Sequence, residues 1–254
     1  MTRVVVAGAF GRMGSLLSRM IAGSDRLDLV GGVDIRAGEQ FGAPVVEPSG
    51  LAGLLEEVRP DVLVDFTVAP AAVQNIRTAA EHGVALVVGT TGFSSEQEAA
   101  NRNAIEGRVP AVISTNFSIG VNVFWKACQT LARALPEYEV EIIEVHHDKK
   151  KDAPSGTAVK AAQLIAAENG VDRFVHGRNG MVGARGREIG IHAVRAGDVV
   201  GEHTVIFAGN RERIELTHRA HSRMAFAEGC IVAIRWIAPL RDGKVHGMDE
   251  VLGL

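Results

Sequence analysis

Residues 144–157, which read EVHHDKKKDAPSGT, bring two histidines, three lysines and a helix-start signal together in one stretch of chain. Imidazole and ammonium groups can donate protons and stabilise negative charge as it develops. Pro154 fixes the backbone ahead of a helix. Ser155 or Thr157 can cap that helix, and Gly156 permits a close backbone approach. A helix start binds carboxylates through its N–H groups, so the segment is typical of a site that holds a small dianionic substrate beside a proton donor.

Parts of this segment, and the two cysteines, also have purely structural interpretations. A charge run such as residues 149–151 is, taken alone, usually a solvated loop. His146 and His147 could bind a metal, but adjacent strand residues point to opposite faces, so one ion cannot easily take both. Cys128 and Cys230 lie in apolar helical stretches outside any nucleophile motif, and we expect them to be core thiols. We expect no metal site.

A second group of residues is typical of dinucleotide binding. Residues 8–14 read G-x-x-G-x-x-G between a predicted strand and a predicted helix, where glycines let the backbone approach a pyrophosphate at the helix N-terminus. Asp34 ends the next strand about 20 residues further on, where an acid can bind a ribose 2′-hydroxyl. The alternative is a glycine turn that merely packs a helix on a sheet. Because Asp34 repels a 2′-phosphate whereas Arg36 could meet one, we predict that NADH is preferred and NADPH tolerated.

The elements that must position these residues change character along the chain. The first half alternates continuous apolar runs with helical patterns, and continuous apolarity is typical of strands covered on both faces. This alternation predicts a Rossmann-type, doubly wound parallel α/β sheet. The predicted strands are residues 3–7, 27–33, 62–66, 84–88 and 109–113, and the predicted helices are residues 11–22, 51–58, 71–82 and 94–106.

The second half predicts a different, α+β arrangement. A helix is predicted over residues 121–135, strands over 138–146, 187–195, 203–207 and 211–218, and a last helix over 223–237. Apolar residues alternate with polar ones at 189–193 and 214–216, which is typical of antiparallel strands packed on one face. We therefore predict an open mixed or antiparallel sheet in a substrate-binding and oligomerisation domain, residues 118–222. The dinucleotide-binding domain is predicted to comprise residues 1–117 and 223–254.

Composition excludes several classes of protein. The 254 residues are 46% hydrophobic and 22% charged, which is far from the composition of disordered chains, and the net charge of −3 gives no sign of a nucleic-acid partner. No apolar run reaches the roughly 18 residues that a membrane span needs, and the N-terminus does not have the layout of a signal peptide. We therefore expect a soluble cytoplasmic protein with neither a nucleic-acid nor a membrane partner.

Taken together, these segments resemble the 4-hydroxy-tetrahydrodipicolinate reductase family, also called the dihydrodipicolinate reductases. The resemblance spans nearly the whole chain, and the E-x-H-H-x-x-K-x-D-A-P-S-G-T string is its most specific part. The matching segments are residues 8–14, 65–67 (DFT), 89–92 (GTTG), 116–118 (NFS), 144–157 and 195–204 (RAGDVVGEHT).

The resemblance implies a homotetramer assembled through the sheet of the second domain. It also implies that NAD(P)H reduces 4-hydroxy-tetrahydrodipicolinate to tetrahydrodipicolinate with loss of water, in lysine and diaminopimelate biosynthesis. By position, His146 matches the family's acid/base residue and Lys150 its proton donor, while the substrate contacts are His147, Gly156 and Thr157. The implied cofactor contacts are Gly8, Ala9, Phe10, Gly11, Arg12, Met13, Asp34, Gly89, Thr90, Thr91, Ser114, Thr115, Asn116 and Phe117.

Two features depart from the family pattern. Family members that use both cofactors often carry an acid followed directly by arginine, whereas this chain has Asp34-Ile35-Arg36. Phe10 replaces a small residue and should crowd the glycine loop without blocking it.

The chemistry of the proposed residues agrees with this reaction. Hydride delivery to a conjugated cyclic imine builds electron density that a proton must quench, and we expect Lys150 to be the main donor with His146 assisting it. Three alternatives remain open. They are a reductase of another small cyclic imino dicarboxylate, a non-catalytic dinucleotide-sensing module, and a Schiff-base lyase that uses Lys150.

Overall fold

The computed structural model describes residues 1–254 and divides them into two units. The first unit consists of Met1–Ser118 and Phe226–Gly253, and the second of Ile119–Ala225 with Leu254.

The first unit contains an eight-stranded sheet flanked by helices. Its strands are β1 (Thr2–Ala7), β2 (Leu27–Val33), β3 (Gly38–Gln40), β4 (Ala43–Val46), β5 (Val62–Asp65), β6 (Ala85–Val88), β7 (Ala111–Ile113) and β13 (Val245–His246). Its helices are α1 (Arg12–Ala22), α2 (Leu51–Val58), α3 (Ala69–Glu81), α4 (Ser95–Ile105) and α8 (Met248–Leu252), with a 3₁₀ turn at Pro48–Gly50. Most of α7 (Met224–Ile237) also belongs to this unit.

The order of strands across this sheet is β13-β7-β6-β5-β1-β2-β4-β3, and every pair is parallel except β3 with β4. Alternate residues of a strand enter different cores. Val4 and Val6 pack in one hydrophobic cluster with residues of α1 and α7. Val5 packs in the other, with residues of α2 and α3. Both faces of β1 are therefore covered, which explains its uninterrupted apolar run and confirms the predicted doubly wound parallel sheet.

The second unit contains a five-stranded mixed sheet. Its elements are α5 (Ile119–Ala134), β8 (Glu139–His146), α6 (Gly156–Asn169), β9 (Phe174–His176), β10 (Ile189–Arg195), β11 (Glu202–Gly209) and β12 (Glu212–Arg219), and the strand order is β12-β11-β8-β10-β9. Along β8, Val140 and Ile142 enter a core formed with α5 and α6, whereas Glu141 and Ile143 lie on the opposite, partly exposed face. This alternation places His146, at the end of β8, on the packed face.

One sequence prediction about this sheet was wrong. The strand predicted at residues 187–195 was expected to pair antiparallel with its neighbours, but β10 runs parallel to both β8 and β9. The physical reason is two successive crossovers: α6 carries the chain from β8 to β9, and residues 177–188 carry it from β9 to β10, so each of these strands begins at the same end of the sheet. The antiparallel prediction holds for β11 with β12 and for β11 with β8.

Both cysteines are free and buried, as predicted. Burial raises the pKa of the Cys128 thiol to about 12 and also raises that of Cys230. At neutral pH both thiols are therefore protonated and inert as nucleophiles. No helix in the structure combines the length and apolarity needed to cross a membrane.

Candidate functional site

The glycine-rich loop follows β1 directly and is held in place by the backbone. Gly8 N donates to Val33 O at 2.8 Å, and Gly11 N donates to Gly8 O at 2.9 Å. Gly8 has φ +79°, a value that L residues with side chains rarely adopt. A Cβ atom at Gly14 would overlap the Gly8 carbonyl oxygen and lie 2.7 Å from its carbon. The loop therefore requires glycine at both positions for α1 to begin so close to β1.

The first turn of α1 has the properties of an anion site. Its N-cap, Gly11, has an extended backbone and offers no side-chain cap, and the turn contains no acidic residue. N–H groups in the first turn of a helix have no intrahelical acceptor, and the helix dipole places partial positive charge there. Arg12 and Met13 lie in this turn and also line the adjacent cleft. These residues fit a dinucleotide pyrophosphate.

Asp34 lies beside this loop, just after β2. Its Oδ2 accepts from Phe10 N at 2.8 Å, and its Oδ1 accepts from Ile35 N at 2.7 Å. The Phe10 ring packs against Gly38, where an added Cβ would be 3.1 Å from Cζ, and the Arg36 guanidinium carbon lies 5.2 Å from the ring centroid. The Phe10 ring, which was expected to crowd the loop, thus contacts Gly38 and Arg36, which follow β2. The Asp34 carboxylate orders the loop backbone.

A cleft of about 490 Å³ opens beside the first turn of α1, at the carboxyl ends of β5 and β6. Ligands of open α/β sheets bind in this position, at the carboxyl edge of the strands near the point where strand order reverses. The lining residues are Arg12, Met13, Phe66, Thr67, Val68, Ala69, Gly89, Thr90, Thr91 and Gly92. The structure therefore places three of the predicted nicotinamide-side residues, Gly89, Thr90 and Thr91, in the same cleft as the α1 start.

Asp65 was not among the predicted site residues, although its carboxylate organises this cleft. It is fully buried, and its Oδ1 accepts from Thr67 Oγ1 at 2.7 Å and from Thr90 Oγ1 at 2.6 Å. Its Oδ2 accepts from Asn75 Nδ2 at 2.8 Å. One carboxylate thus fixes two threonines on two loops of the cleft. A lone acid ending a fully buried apolar strand was the signal that could have identified it.

The last predicted cofactor segment, 114–117, follows β7 at the same edge of the sheet. Ser114 Oγ donates to Asn116 O at 2.8 Å and accepts from Asn116 N at 3.2 Å. Phe117 is buried, with its ring centroid 5.8 Å from that of Phe66, while Thr115 is exposed. The structure therefore positions this turn through its own hydrogen bonds and through the Phe66 ring that lines the cleft.

In the second unit, a buried carboxylate lies at the centre of the histidine–lysine segment. Glu144 is fully buried, and its Oε2 accepts from His146 Nδ1 at 2.5 Å. Arg195 donates to both carboxylate oxygens, at 2.9 and 2.8 Å, and Ser155 N donates to Oε1 at 3.0 Å. Burial alone would raise the pKa of Glu144, but these hydrogen bonds outweigh it and lower the pKa to about 2.

Lys150 lies in the loop that follows β8. Its Nζ is 2.9 Å from Asp152 Oδ2, and its side chain is 21% exposed. The hydrogen bond from Lys150 lowers the pKa of Asp152. Arg195 donates to Asp152 O at 2.7 Å, which ties this loop to the Glu144 carboxylate. His147 is half-buried, and its Nδ1 is buried without a hydrogen-bond partner.

The start of α6 completes this group of residues. Ser155, rather than Thr157, caps the helix, because its side chain accepts from Ala158 N at 3.2 Å. Its Oγ also lies 2.9 Å from His203 Nε2. The first turn contains no acidic residue, and Gly156 is exposed. The helix start therefore presents N–H groups that can bind a carboxylate.

Because the Glu141 and Glu144 carboxylates have lowered pKa values, we expect the second unit to lose stability in acid. Burial would raise the pKa of Glu141, but hydrogen bonds from Arg178, His192 and Arg185 lower it to about 2, like that of Glu144. A carboxylate with a lowered folded-state pKa contributes stability above its unfolded pKa, about 4.3. That contribution is lost as the pH falls towards 2. We expect the urea midpoint of this unit to fall steadily between about pH 5 and pH 3.

Tryptophan fluorescence can measure this loss, because the chain has only two tryptophans and Trp125 is the one in the second unit. In a Trp236→Phe background, Glu141→Gln should lower the midpoint at pH 7 and flatten its dependence on pH. Glu137→Gln, at an exposed position, is the matched control and should change neither. A midpoint independent of pH between 5 and 3 would contradict the assignment of these ion pairs.

Comparison with known proteins identifies relatives over the whole length of this chain. A family model for the N-terminal part of dihydrodipicolinate reductase matches residues 2–117, and a model for its C-terminal part matches residues 120–252. A 4-hydroxy-tetrahydrodipicolinate reductase of Methanoregula boonei is 51% identical over 100% of this chain and 99% of its own length. One of Methanocaldococcus jannaschii is also 51% identical, over 100% and 98%. Dihydrodipicolinate reductase from Paenisporosarcina sp. TG-14, solved with dipicolinate bound, has a TM-score of 0.82 at 27% identity and 98% coverage of both chains.

Proposed function

The chain belongs to the dihydrodipicolinate reductase family, and from that premise we propose how its residues share the work of the reaction. It is an NAD(P)H-dependent oxidoreductase that reduces 4-hydroxy-tetrahydrodipicolinate to tetrahydrodipicolinate in lysine and diaminopimelate biosynthesis. NAD(P)H gives a hydride, a proton is taken up and water leaves, so atoms and charge balance. The observation that carries the assignment of residues is the convergence of His146, the Lys150 loop and the α6 start on one buried carboxylate, Glu144.

We propose that the first unit holds the cofactor. The first turn of α1 would bind the pyrophosphate, and Asp34 the adenosine ribose, because its carboxylate already lies against the loop. The cleft between the α1 start and the loops after β5 and β6 would take the nicotinamide half. The proposed contacts are Gly8, Ala9, Phe10, Gly11, Arg12, Met13, Asp34, Gly89, Thr90, Thr91, Ser114, Thr115, Asn116 and Phe117. When bound, the reduced nicotinamide supplies the hydride.

Residues of the second unit would bind a carboxylate of the substrate and deliver the proton. Gly156 and Thr157, in the first turn of α6, would bind one carboxylate through N–H groups, and the unpartnered Nδ1 of His147 would contribute a further hydrogen bond. Lys150 would donate the proton and stabilise the negative charge that develops during reduction, with His146 assisting. Lys150 suits this role because its side chain is only 21% exposed and its ammonium is paired with one carboxylate, that of Asp152.

Oxidation of NADH in the presence of enzymatically generated 4-hydroxy-tetrahydrodipicolinate tests the proposed function. We expect turnover with this substrate to exceed turnover with a panel of other cyclic imino dicarboxylates. Faster turnover of another imine would favour the alternative reductase, and cofactor binding without turnover of any imine would favour a sensing module. Borohydride trapping of substrate on Lys150 without nicotinamide would favour a lyase.

We propose further that NADH is the preferred cofactor and NADPH is tolerated. The Asp34 carboxylate accepts from the loop backbone and would repel a 2′-phosphate, whereas Arg36 could neutralise one. We expect kcat/KM to be roughly tenfold higher with NADH, which corresponds to about 1.4 kcal/mol. Asp34→Asn retains an oxygen for Phe10 N and should largely erase the difference, while Arg36→Ala should reduce only the NADPH value. Equal or better steady-state efficiency of the wild-type enzyme with NADPH would contradict this order.

We also propose a cytoplasmic homotetramer, with residues 1–117 and 223–254 as the dinucleotide-binding domain and residues 118–222 as the substrate-binding and oligomerisation domain. Support for the oligomer comes from the second sheet: α5 and α6 pack on one face, while the other carries the partly exposed Ile143 and Val145 and the exposed Val194. Light scattering on the purified protein measures the assembly directly.

A further inference from the structure

Glu144 is an unusual residue for the buried face of a strand. It is fully buried and lies on the same face of β8 as Ile142, which is fully buried in the core. A buried carboxylate is costly unless every lone pair is matched by a donor. Here three residues donate four hydrogen bonds to it, from Arg195, His146 and Ser155. Such complete satisfaction indicates that the carboxylate has a structural task at this point of the fold.

We infer that Glu144, paired with Arg195, is a positioning residue: it holds His146 in the tautomer whose Nε2 can take part in proton transfer, and it fixes the three segments that contact the substrate. This inference rests on the proposed function, which assigns those contacts to His146, to the Lys150 loop and to the start of α6.

The tautomer follows from the chemistry of the contact. An ionised carboxylate can only accept hydrogen bonds, so the 2.5 Å contact requires the proton to be on His146 Nδ1. The Nε2 of the neutral ring is then left with its lone pair. A Cβ atom added at Gly201 would lie only 3.0 Å from Nε2, so glycine at this position keeps space open beside that nitrogen. Glu144 therefore sets which ring atom is available for chemistry.

A second histidine in this cluster does not compete for the carboxylate. The centroid of the His203 ring lies 5.2 Å from that of His146, and its Nε2 contacts Ser155 Oγ. Burial, followed by the proximity of His146, lowers the pKa of His203 to about 3. His203 is thus neutral at ordinary pH, and the nearby buried charge remains that of Glu144 and Arg195.

The same carboxylate reaches the other two segments through the backbone. Ser155 N donates to Glu144 Oε1, which anchors the residue that caps α6. Arg195 bridges Glu144 to the carbonyl of Asp152, in the loop that carries Lys150. Removing the negative charge at Glu144 should therefore disturb His146 and the proton-donor loop together, while the cofactor residues of the first unit are unaffected.

Histidine ¹⁵N NMR tests the tautomer directly in the wild-type protein. His146 is assigned by the signal that disappears in His146→Asn, and the spectrum is recorded at about pH 8.5, where an ordinary histidine is neutral. We expect the Nδ1–H tautomer. Observation of the Nε2–H tautomer would overturn the inference whether or not the enzyme reduces the proposed substrate, because this measurement needs no turnover.

The Glu144→Gln variant tests the consequence for activity. The glutamine amide would place its N–H₂ group against the hydrogen-bond donors that now surround the carboxylate, so we expect the His146 tautomer to change. We expect kcat to fall roughly 100-fold or more and the Kd for NADH to be unchanged. The matched control is Glu141→Gln, which removes a carboxylate with arginine and histidine partners from the opposite face of the same strand. It should keep kcat within about threefold of wild type. A Glu144→Gln enzyme with the same kcat as the control would overturn the inference. If this variant does not fold, the histidine ¹⁵N NMR spectrum of the wild-type protein still tests the inference through the His146 tautomer.

Discussion

The Lys150→Ala enzyme is expected to lose roughly 100- to 1000-fold in kcat while binding NADH with an unchanged Kd. Its ammonium lies 2.9 Å from Asp152 in the unit proposed to bind substrate, so the truncation removes a proton donor and a positive charge without touching the dinucleotide loop. Stopped-flow measurement of hydride transfer and fluorescence titration of NADH separate the two effects. Added methylammonium should restore part of the lost rate, because it can occupy the space vacated by the side chain.

The neighbouring lysines provide the controls for this experiment. Lys149 and Lys151 have the same charge but are exposed. Their alanine variants should retain kcat and raise the KM for substrate mainly at low salt, where exposed charges steer anions over longer distances. Wild-type turnover in Lys150→Ala, or an equal loss of kcat in all three variants, would show that Lys150 is not the proton donor.

The sequence predicted the first sheet well because its strands are buried on both faces. The predicted bounds of β2 and α2, residues 27–33 and 51–58, coincide with the observed elements. The short hairpin of β3 and β4 went unpredicted, since strands of three and four residues interrupted by glycine and proline leave no periodic signal. The direction of β10 was also mistaken, because an alternating pattern reports which face is packed and not which way the neighbouring strand runs.

The sequence predicted the chemical groups of the proposed site but not the carboxylates that hold them. His146 and Lys150 stand out by residue type and spacing, whereas Asp65 is a lone acid that ends an apolar strand and Glu144 is one of three glutamates in β8. The partner of Glu144 is distant in sequence: Arg195 reaches it because β10 runs parallel to β8 with Arg195 in register with His146. Pairing between distant strands is a tertiary property, so a single sequence does not reveal this ion pair, even though Glu144 and His146 share a face by their spacing alone.

Gly14→Ala tests the proposed cofactor site by adding a methyl group where α1 lies against the glycine loop. The new Cβ would overlap the Gly8 carbonyl oxygen and lie 3.0 Å from the Ala9 Cα, and because both neighbours are backbone they cannot rotate away. Overpacking of this kind costs about 1–3 kcal/mol, and relief requires α1 to move away from the loop whose N–H groups are proposed to bind the pyrophosphate. We expect the Kd for NADH to rise roughly 10- to 100-fold. Calorimetric titration with NADH measures it, and the melting temperature should fall as well.

A glycine-to-alanine substitution in another helix is the matched control, because it shows the effect of an added methyl group where no steric overlap occurs. Gly53 lies in α2, and a Cβ atom there would meet nothing within 4 Å. Gly53→Ala should stabilise the protein by about 0.5–1 kcal/mol, because alanine loses less backbone entropy than glycine in a helix, and should leave the Kd for NADH unchanged. If α1 approaches the loop as closely as the structure shows, Gly14→Ala should destabilise the protein and Gly53→Ala should stabilise it. Only Gly14→Ala should weaken NADH binding. If Gly14→Ala binds NADH as tightly as wild type, the cofactor does not depend on this turn, and the first unit must bind it elsewhere.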